Sequence, residues 1–252
     1  MAEQAEGSAA RVALITGGAR RVGAGIVRRL HAAGWRIVLH YRASSADADA
    51  LAAELNAQRA DSVITVQLDL LDTARLPELV AAAIAHFGRL DALINNASTF
   101  YATPIGQFSE TAWDELLGSN LKAPLFLAQA AAPELTKTHG CIISIADIHT
   151  ERPYPQYMLY TAAKAGLVAM TRGLARELAP TVRVNAVAPG SNIWPEHGKA
   201  FDATEQQRIL DTIPLQRIGA PDDLAQAIEF LLNAPYLTGV VLPVDGGRSV
   251  VL

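Results

Sequence analysis

The chain has 252 residues, half of them apolar and 18 % charged, with 18 glycines and 13 prolines. This ordinary globular composition excludes disorder, collagen-like repeats and coiled coil, and the length suits one large α/β domain or two small ones with a core that needs no staples. Against 25 Asp and Glu stand 21 Lys and Arg, a net charge of -4 that argues against a general nucleic-acid or anionic-membrane surface, so any phosphate-binding charge has to be local.

Residues 1–10 read as a flexible tail and 11–252 as a single domain. The N-terminus MAEQAEGSA has no basic segment leading into an apolar one, and no apolar stretch approaches 18 residues, so neither an export signal nor a membrane span is expected. Residues 11–16 (RVALIT) form an apolar run too short for a helix and stopped by Gly17-Gly18, which reads as a buried strand. Residues 22–33 place Val22, Ile26, Val27 and Leu30 on one face with Gly34 at the stop, an amphipathic helix. The alternation continues with strand 36–41, helix 45–58, strand 63–68, helix 75–87 and strand 92–95. A helix over 111–137 follows, then strand 141–145, which opens on the sole cysteine. Cys141 has no intrachain partner, which excludes a disulfide framework, points to a reducing cytoplasm and reads as a small buried hydrophobe. Helix 156–178, strand 182–187, helix 221–232 and strand 240–244 complete the chain. About seven continuous apolar strands alternating with helices predict a doubly wound parallel sheet of the Rossmann type, covered on both faces. The aperiodic stretch 189–202, with Gly190, Pro195 and Gly198, is the expected substrate loop.

In such sheets function gathers at the carboxyl ends of the strands. After the first strand, Gly17, Arg20, Arg21, Val22 and Gly23 form a glycine turn opening into a helix, where free N–H groups and a positive dipole end suit a pyrophosphate; alone, the turn is a weak signal, with a mere strand-to-helix corner the lesser alternative. The second strand ends His40-Tyr41-Arg42-Ala43-Ser44, without the acid that holds the ribose hydroxyls of NAD. Arg42, Arg20 and Ser44 instead suit a ribose 2′-phosphate, hence NADPH, with a solvated loop arginine the alternative for Arg42. Arg28 and Arg29 read as a solvated helix face. Tyr160 and Lys164, four apart, share a helix face, and a lysine there favours the tyrosinate, lowering the phenol from about 10 toward working pH and making it a usable proton donor. No histidine or cysteine spacing suits a metal. His149 reads as a solvent-exposed loop residue more than a pocket residue, and Trp194 as a closure over substrate or exposed loop packing alike.

The glycine turn, Asp69, Asn95-Asn96-Ala97, Asn120, Tyr160 and Lys164, Pro189-Gly190 and the Thr238-Gly239 and Val244-Asp245-Gly246-Gly247 ending together resemble a short-chain dehydrogenase/reductase over nearly the whole chain after residue 10. The resemblance implies hydride transfer from nicotinamide, with Tyr160 as proton donor, Lys164 as helper and Asn120 ordering a water. Asn120 also reads as a brace at a helix kink. It further implies cofactor contacts from Asp69, Leu70, Asn96, Ala97, Ser98, Tyr160, Lys164, Pro189, Gly190, Ser191 and Asn192, and commonly a homotetramer formed through the long helices and the C-terminal strand.

Two departures from the general pattern point to a branch. Arg21 replaces the middle glycine of the turn, and Asp147 stands thirteen residues before the tyrosine where a serine is usual. An ionised carboxylate only accepts hydrogen bonds, so Asp147 suits a substrate with N–H donors or a relayed proton rather than a simple ketone, unless it merely caps the next turn. With Ser98-Thr99-Phe100 and the LYTAAK context of Tyr160, these features are similar to the pteridine reductases. The similarity implies that Phe100 stacks on a pterin, that Ser98 and Arg21 contact pterin and phosphate, and that Asp147, Tyr160 and Trp194 line the substrate site. Phe100 also reads as a core aromatic under the loop. Ala43, where some members of the branch carry a second arginine, weakens the case for a strict NADPH preference. The alternatives are a carbonyl reductase of the wider family and a non-catalytic NADPH-sensing protein.

Overall fold

The seven apolar runs become seven strands because, in all but the two edge strands, side chains on both faces are packed. They are β1 (Val12–Ile15), β2 (Arg36–Tyr41), β3 (Val63–Gln67), β4 (Ala92–Asn95), β5 (Cys141–Ile145), β6 (Arg183–Pro189) and β7 (Val241–Val244). All pair in parallel in the order β3-β2-β1-β4-β5-β6-β7. The chain runs outward from β1 to β3, returns to lie beside β1 as β4, and runs outward again to β7, so the switch point lies between β1 and β4. The structure, a computed structural model, describes residues 10–194 and 202–251. Apart from residue 10 the predicted N-terminal tail lies outside these residues, as do positions 195–201 of the predicted substrate loop.

Alternate residues of each strand supply two cores. Ala13, Ile15, Ile37, Leu39, Ile94 and Ile143 face α1 (Arg21–Ala32), α2 (Ser45–Gln58) and α8 (Pro221–Asn233), meeting Ile26, Leu30, Leu51, Leu55, Ile228 and Leu231. Their neighbours Val12, Leu14, Val38, Leu93, Ile142 and Val184 face α3 (Pro77–Phe87), α5 (Ala123–Thr138) and α6 (Met158–Glu177), meeting Leu79, Ala83, Leu127, Leu135 and Ala175. This two-sided burial is why the strands read as unbroken apolar runs rather than alternating ones.

Two elements differ from expectation. The helix expected over 111–137 is broken into α4 (Glu110–Leu117), a π-helical turn Gly118–Lys122, and α5. Gly118, the proline near the start of α5 and the Asn120 side chain, which donates to the Leu116 carbonyl at 2.9 Å, interrupt the regular ladder there. An additional helix, α7 (Ala203–Asp211), follows the described part of the loop. Asp202 caps it by accepting from Glu205 N at 2.8 Å, so Asp202 with Glu205 three residues on was the available sequence signal.

Cys141 opens the central β5 and is buried, and desolvation raises its thiol to about 11. The native protein is therefore expected to resist a thiol reagent at pH 8 and to release one equivalent once unfolded in urea. Labelling of native protein at the unfolded rate would place Cys141 outside the core.

Candidate active site

The switch point is held open by one residue. Thr16, the last residue before the glycine turn, accepts at Oγ1 from Asn96 N at 3.0 Å and Ala97 N at 3.1 Å and donates to the Ile94 carbonyl at 3.3 Å. Asn96 replies by donating through Nδ2 to the carbonyls of Thr16 and Gly17 at 2.9 and 3.0 Å. These bonds fix the ends of β1 and β4 as they diverge, leaving a cleft. Gly17 takes φ +61°, and a Cβ there would stand 3.1 Å from Ala97 Cα, so only glycine gives this approach without strain. His40 supports the turn from below, accepting Gly17 N–H at Nδ1 (3.1 Å) and donating from Nε2 to the Leu68 carbonyl (2.9 Å). Burial lowers its pKa, in keeping with the neutral ring these two bonds require.

The cleft has a volume of about 490 Å³. Gly17, Arg20, Arg21, Val22, Gly23, His40, Arg42, Asp69, Leu70, Asn96, Ala97 and Ser98 line it. Thr99 of the same segment lines it too, as do Leu71, Glu115, Ser119, Ile145 and Leu224, which the sequence did not single out. The N-terminus of α1 points into the cleft with no side-chain cap and no acid in its first turn, so its N–H groups suit an anionic ligand. A dinucleotide pyrophosphate fits this turn. Tyr41 and Ser44 do not line the cleft: Tyr41 packs half-buried against the core, and Ser44 begins α2. Arg20 lies 3.6 Å from Asp47, whereas among the described residues no carboxylate pairs with Arg42.

A second cavity of about 580 Å³ shares Arg21, Val22 and Ser98 with the first and continues past Phe100, Asp147 and Tyr160 to Gly190, Ser191, Asn192 and Trp194. Pro189 ends the strand that delivers this last segment. Arg21 sits at the junction with φ +52°, the left-handed conformation expected of the glycine it replaces, at a cost of about 1–2 kcal/mol. Its Nη2 reaches the carbonyls of Ile193 and Trp194, each at 3.4 Å.

At the centre, the Tyr160 hydroxyl donates to Asp147 Oδ2 at 2.7 Å, while Asp147 Oδ1 accepts from His149 N at 2.8 Å. Asp147 thus caps the short turn Ile148–Thr150 and engages the tyrosine as well, so both readings of this residue hold. Lys164 is buried one helical turn beyond Tyr160 and donates to the Ile145 carbonyl at 2.7 Å. Its pKa falls to about 8, chiefly through desolvation, with Asp147 opposing the shift. The expected lowering of the Tyr160 phenol is not found. Burial, then the charge of Asp147 and the hydrogen bond to it, push the phenol well above its usual value, because a tyrosinate beside a carboxylate in an apolar wall is doubly disfavoured.

Asn120 lines neither cavity. Fully buried in the π-helical turn, it accepts from Ser98 Oγ at 2.7 Å and donates to the carbonyls of Thr99 and Leu116, which is the brace reading. Phe100 is 43 % exposed, so it is not a core aromatic. It stacks on Tyr157 with centroids 4.6 Å apart and meets Tyr160 edge-on at 4.8 Å. The reading of His149 as solvent-exposed is corrected: the ring is buried 3.7 Å from Tyr154, and Nδ1 donates to the Arg152 carbonyl at 2.9 Å. Tyr154 and Tyr157 escaped the sequence analysis. The signal was there, since Tyr157 stands three residues before Tyr160 and so on the same side of a helix start.

The family model described as enoyl-(acyl carrier protein) reductase matches residues 17–249. Pteridine reductase 1 of Leishmania tarentolae is 38 % identical, covering 95 % of this chain and 96 % of the relative. The granaticin polyketide synthase putative ketoacyl reductase 2 of Streptomyces violaceoruber is 36 % identical over 94 % and 96 %. A 3-oxoacyl-[acyl-carrier-protein] reductase of Staphylococcus aureus is 32 % identical over 93 % and 96 %. With its seven-stranded parallel sheet, its glycine turn at the switch point and these matches along almost its full length, the chain belongs to the short-chain dehydrogenase/reductase family of NAD(P)H-dependent oxidoreductases.

Proposed function

We propose that this chain is an NADPH-dependent pterin reductase, acting on the pyrazine ring of a dihydropterin or oxidised pterin, with dihydrofolate within its range. The observation that carries this reading is the 2.7 Å bond from Tyr160 Oη to Asp147, a carboxylate where carbonyl reductases of the general pattern present a serine hydroxyl. A carboxylate cannot donate to a ketone oxygen, but it accepts N–H groups, which pterins carry in abundance. The similarity to a pteridine reductase supports the same reading. The ketoacyl reductases among the relatives make carbonyl reduction the rival.

When bound, the nicotinamide supplies the hydride to a ring carbon. The residues of the chain do the rest. Tyr160 remains protonated across the neutral range because its phenol is pushed up, so Oη holds the proton needed by the adjacent ring nitrogen. Asp147 Oδ2 orients that hydroxyl and retains lone pairs for substrate N–H groups. Lys164, a cation beside the tyrosine ring at 5.7 Å, offsets the negative charge that Tyr160 acquires on giving up the proton. Arg42, with no carboxylate partner among the described residues, is the cation best placed for a 2′-phosphate, and Arg20 contributes less because Asp47 competes for it. The open face of Phe100, opposite Tyr157, offers the stacking surface for a flat ring. Half-exposed Leu125 and Phe126 on α5 and the partly buried edge strand β7 are consistent with assembly as a homotetramer.

Arg42→Asp is expected to weaken NADPH binding far more than NADH binding in a titration of both cofactors; equal loss for the two would remove the 2′-phosphate assignment. For Tyr160→Phe, NADPH should still bind while turnover falls by roughly 10²–10⁴-fold, the range for loss of a general acid. Full turnover in that variant would remove Tyr160 as the proton donor.

Two substitutions separate pterin from ketone chemistry. Phe100→Ala should lose about 0.5–1.5 kcal/mol of stacking beyond area burial, seen as weaker pterin binding at nearly constant NADPH affinity. Asp147→Ser restores the hydroxyl a ketone needs and deletes the carboxylate, so pterin turnover should collapse while trace ketone reduction holds or rises. If the serine variant reduces pterins as well as the wild type, Asp147 has no part in catalysis.

A further inference from the structure

We propose that Arg248 anchors an anionic side chain of the substrate, a carboxylate or phosphate at the part of the second cavity lined by Tyr154 and Ser191. The identity of the ring to which that anion is attached rests on the pterin reading; the anion site does not.

Arg248 follows β7 in the short turn Arg248–Val250 and is only 4 % exposed. Its Nε donates to Thr212 Oγ1 and its Nη1 to Ser191 Oγ, both at 3.0 Å. These are neutral hydroxyls, and among the described residues no carboxylate lies within ion-pair distance of the guanidinium. Asp245, three residues earlier, is spent on its own turn, its two oxygens accepting from Gly247 N at 2.9 Å and Ser249 N at 2.7 Å. Nη2 donates to none of the described residues, yet it is not among the side-chain atoms sealed from solvent without a partner. A buried, permanently charged group with donors to spare is costly unless an anion meets it, and the fork of a guanidinium matches the two oxygens of a carboxylate or phosphate.

The surroundings give that anion a direction. Ser191, bonded to Arg248, and Tyr154, whose ring centroid lies 5.6 Å from the guanidinium, both line the second cavity. The cavity lining runs from Tyr160 and its partner Asp147 through His149, whose N–H holds Asp147 Oδ1 at 2.8 Å, to Tyr154, 3.7 Å from the His149 ring. A flat ring at the Tyr160 end therefore sends its side chain past His149 and Tyr154 toward Arg248. A brace between Ser191 and Thr212 alone would need only neutral donors.

The test is calorimetric binding to the full chain saturated with NADP⁺, which also blocks the pyrophosphate turn. The probes are dihydrobiopterin, with an uncharged side chain; dihydrofolate, with carboxylates; dihydroneopterin phosphate; and, as side chains without a pterin, p-aminobenzoylglutamate and inorganic phosphate. Wild type is expected to favour the carboxylate or the phosphate pterin over dihydrobiopterin by roughly 10–100-fold, a margin that Arg248→Gln abolishes, Arg248→Lys largely keeps and added salt narrows. Whichever anion shows the margin identifies the source. Should no pterin bind while a pterin-free probe still binds wild type and not Arg248→Gln, the anion site stands and the pterin reading falls. Equal wild-type affinity for charged and uncharged pterins overturns the proposal even if neither variant folds. So does a loss in Arg248→Gln that is equal for all pterins or confined to NADP⁺, since either outcome makes Arg248 a brace for Ser191. Pterin-free probes that ignore Arg248, with no pterin binding, overturn it too.

Discussion

Everything functional in this fold depends on two parallel strands being held together at their roots and apart at their ends. Beyond the bond from Thr16 N to the Ile94 carbonyl at 3.0 Å the ladder between β1 and β4 stops, and the backbone groups released there need other partners. Thr16 and Asn96 supply them to each other, one through a hydroxyl that accepts two N–H groups and the other through an amide that donates to two carbonyls. The mouth of the cleft is therefore satisfied internally, and the free N–H groups of α1 remain for a ligand. His40 extends the arrangement one layer down, since a neutral imidazole that accepts on one nitrogen and donates on the other ties the glycine turn to the end of β3.

The acid–base centre follows a different logic, in which burial raises the cost of every charge. Tyr160 and Asp147 line the second cavity with Lys164 buried one helical turn beyond the tyrosine, and desolvation pushes the phenol up and the ammonium down. Both shifts favour neutral forms, and the charge of Asp147 opposes the shift on Lys164. Proton transfer from Tyr160 then creates a second anion next to Asp147, which is unfavourable unless the substrate engages that carboxylate. A substrate with N–H groups does so and a simple ketone does not, which makes Asp147 a discriminator as well as an orienting group.

Much of this was legible in the sequence. Strand-length apolar runs between amphipathic helices pointed to the sheet, because burial on both faces leaves a clear pattern, and the resemblance carried by the residues around Gly17, Asn96, Tyr160 and Lys164 pointed to the candidate site. What stayed hidden depends on where side chains meet across the fold. The break in the helix after Leu117 comes from the Asn120 amide capturing a carbonyl one turn back, which periodicity does not register. Lys164 was expected to lower the Tyr160 phenol from its place four residues on, yet the depth of burial and the nearness of Asp147 decide the sign, and both are tertiary. His149 looked like an ordinary loop residue until Tyr154 covered it.

The distribution of arginines completes the electrostatic picture. The chain as a whole is acidic, with a net charge of -4, yet Arg20, Arg21 and Arg42 line the first cavity and Arg248 stands behind the Ser191 wall of the second. Positive charge concentrated in low-dielectric clefts of an acidic protein draws anions to those clefts without making the rest of the surface adhesive. Arg21 shows how strongly position matters. A glycine would adopt its left-handed backbone at less cost, but would leave the junction between the cavities without a cation and without the reach to the Ile193 and Trp194 carbonyls. The strain at this one residue is thus coupled to the contact between the glycine turn and the first described residues of the substrate loop, which joins the geometry of the two cavities.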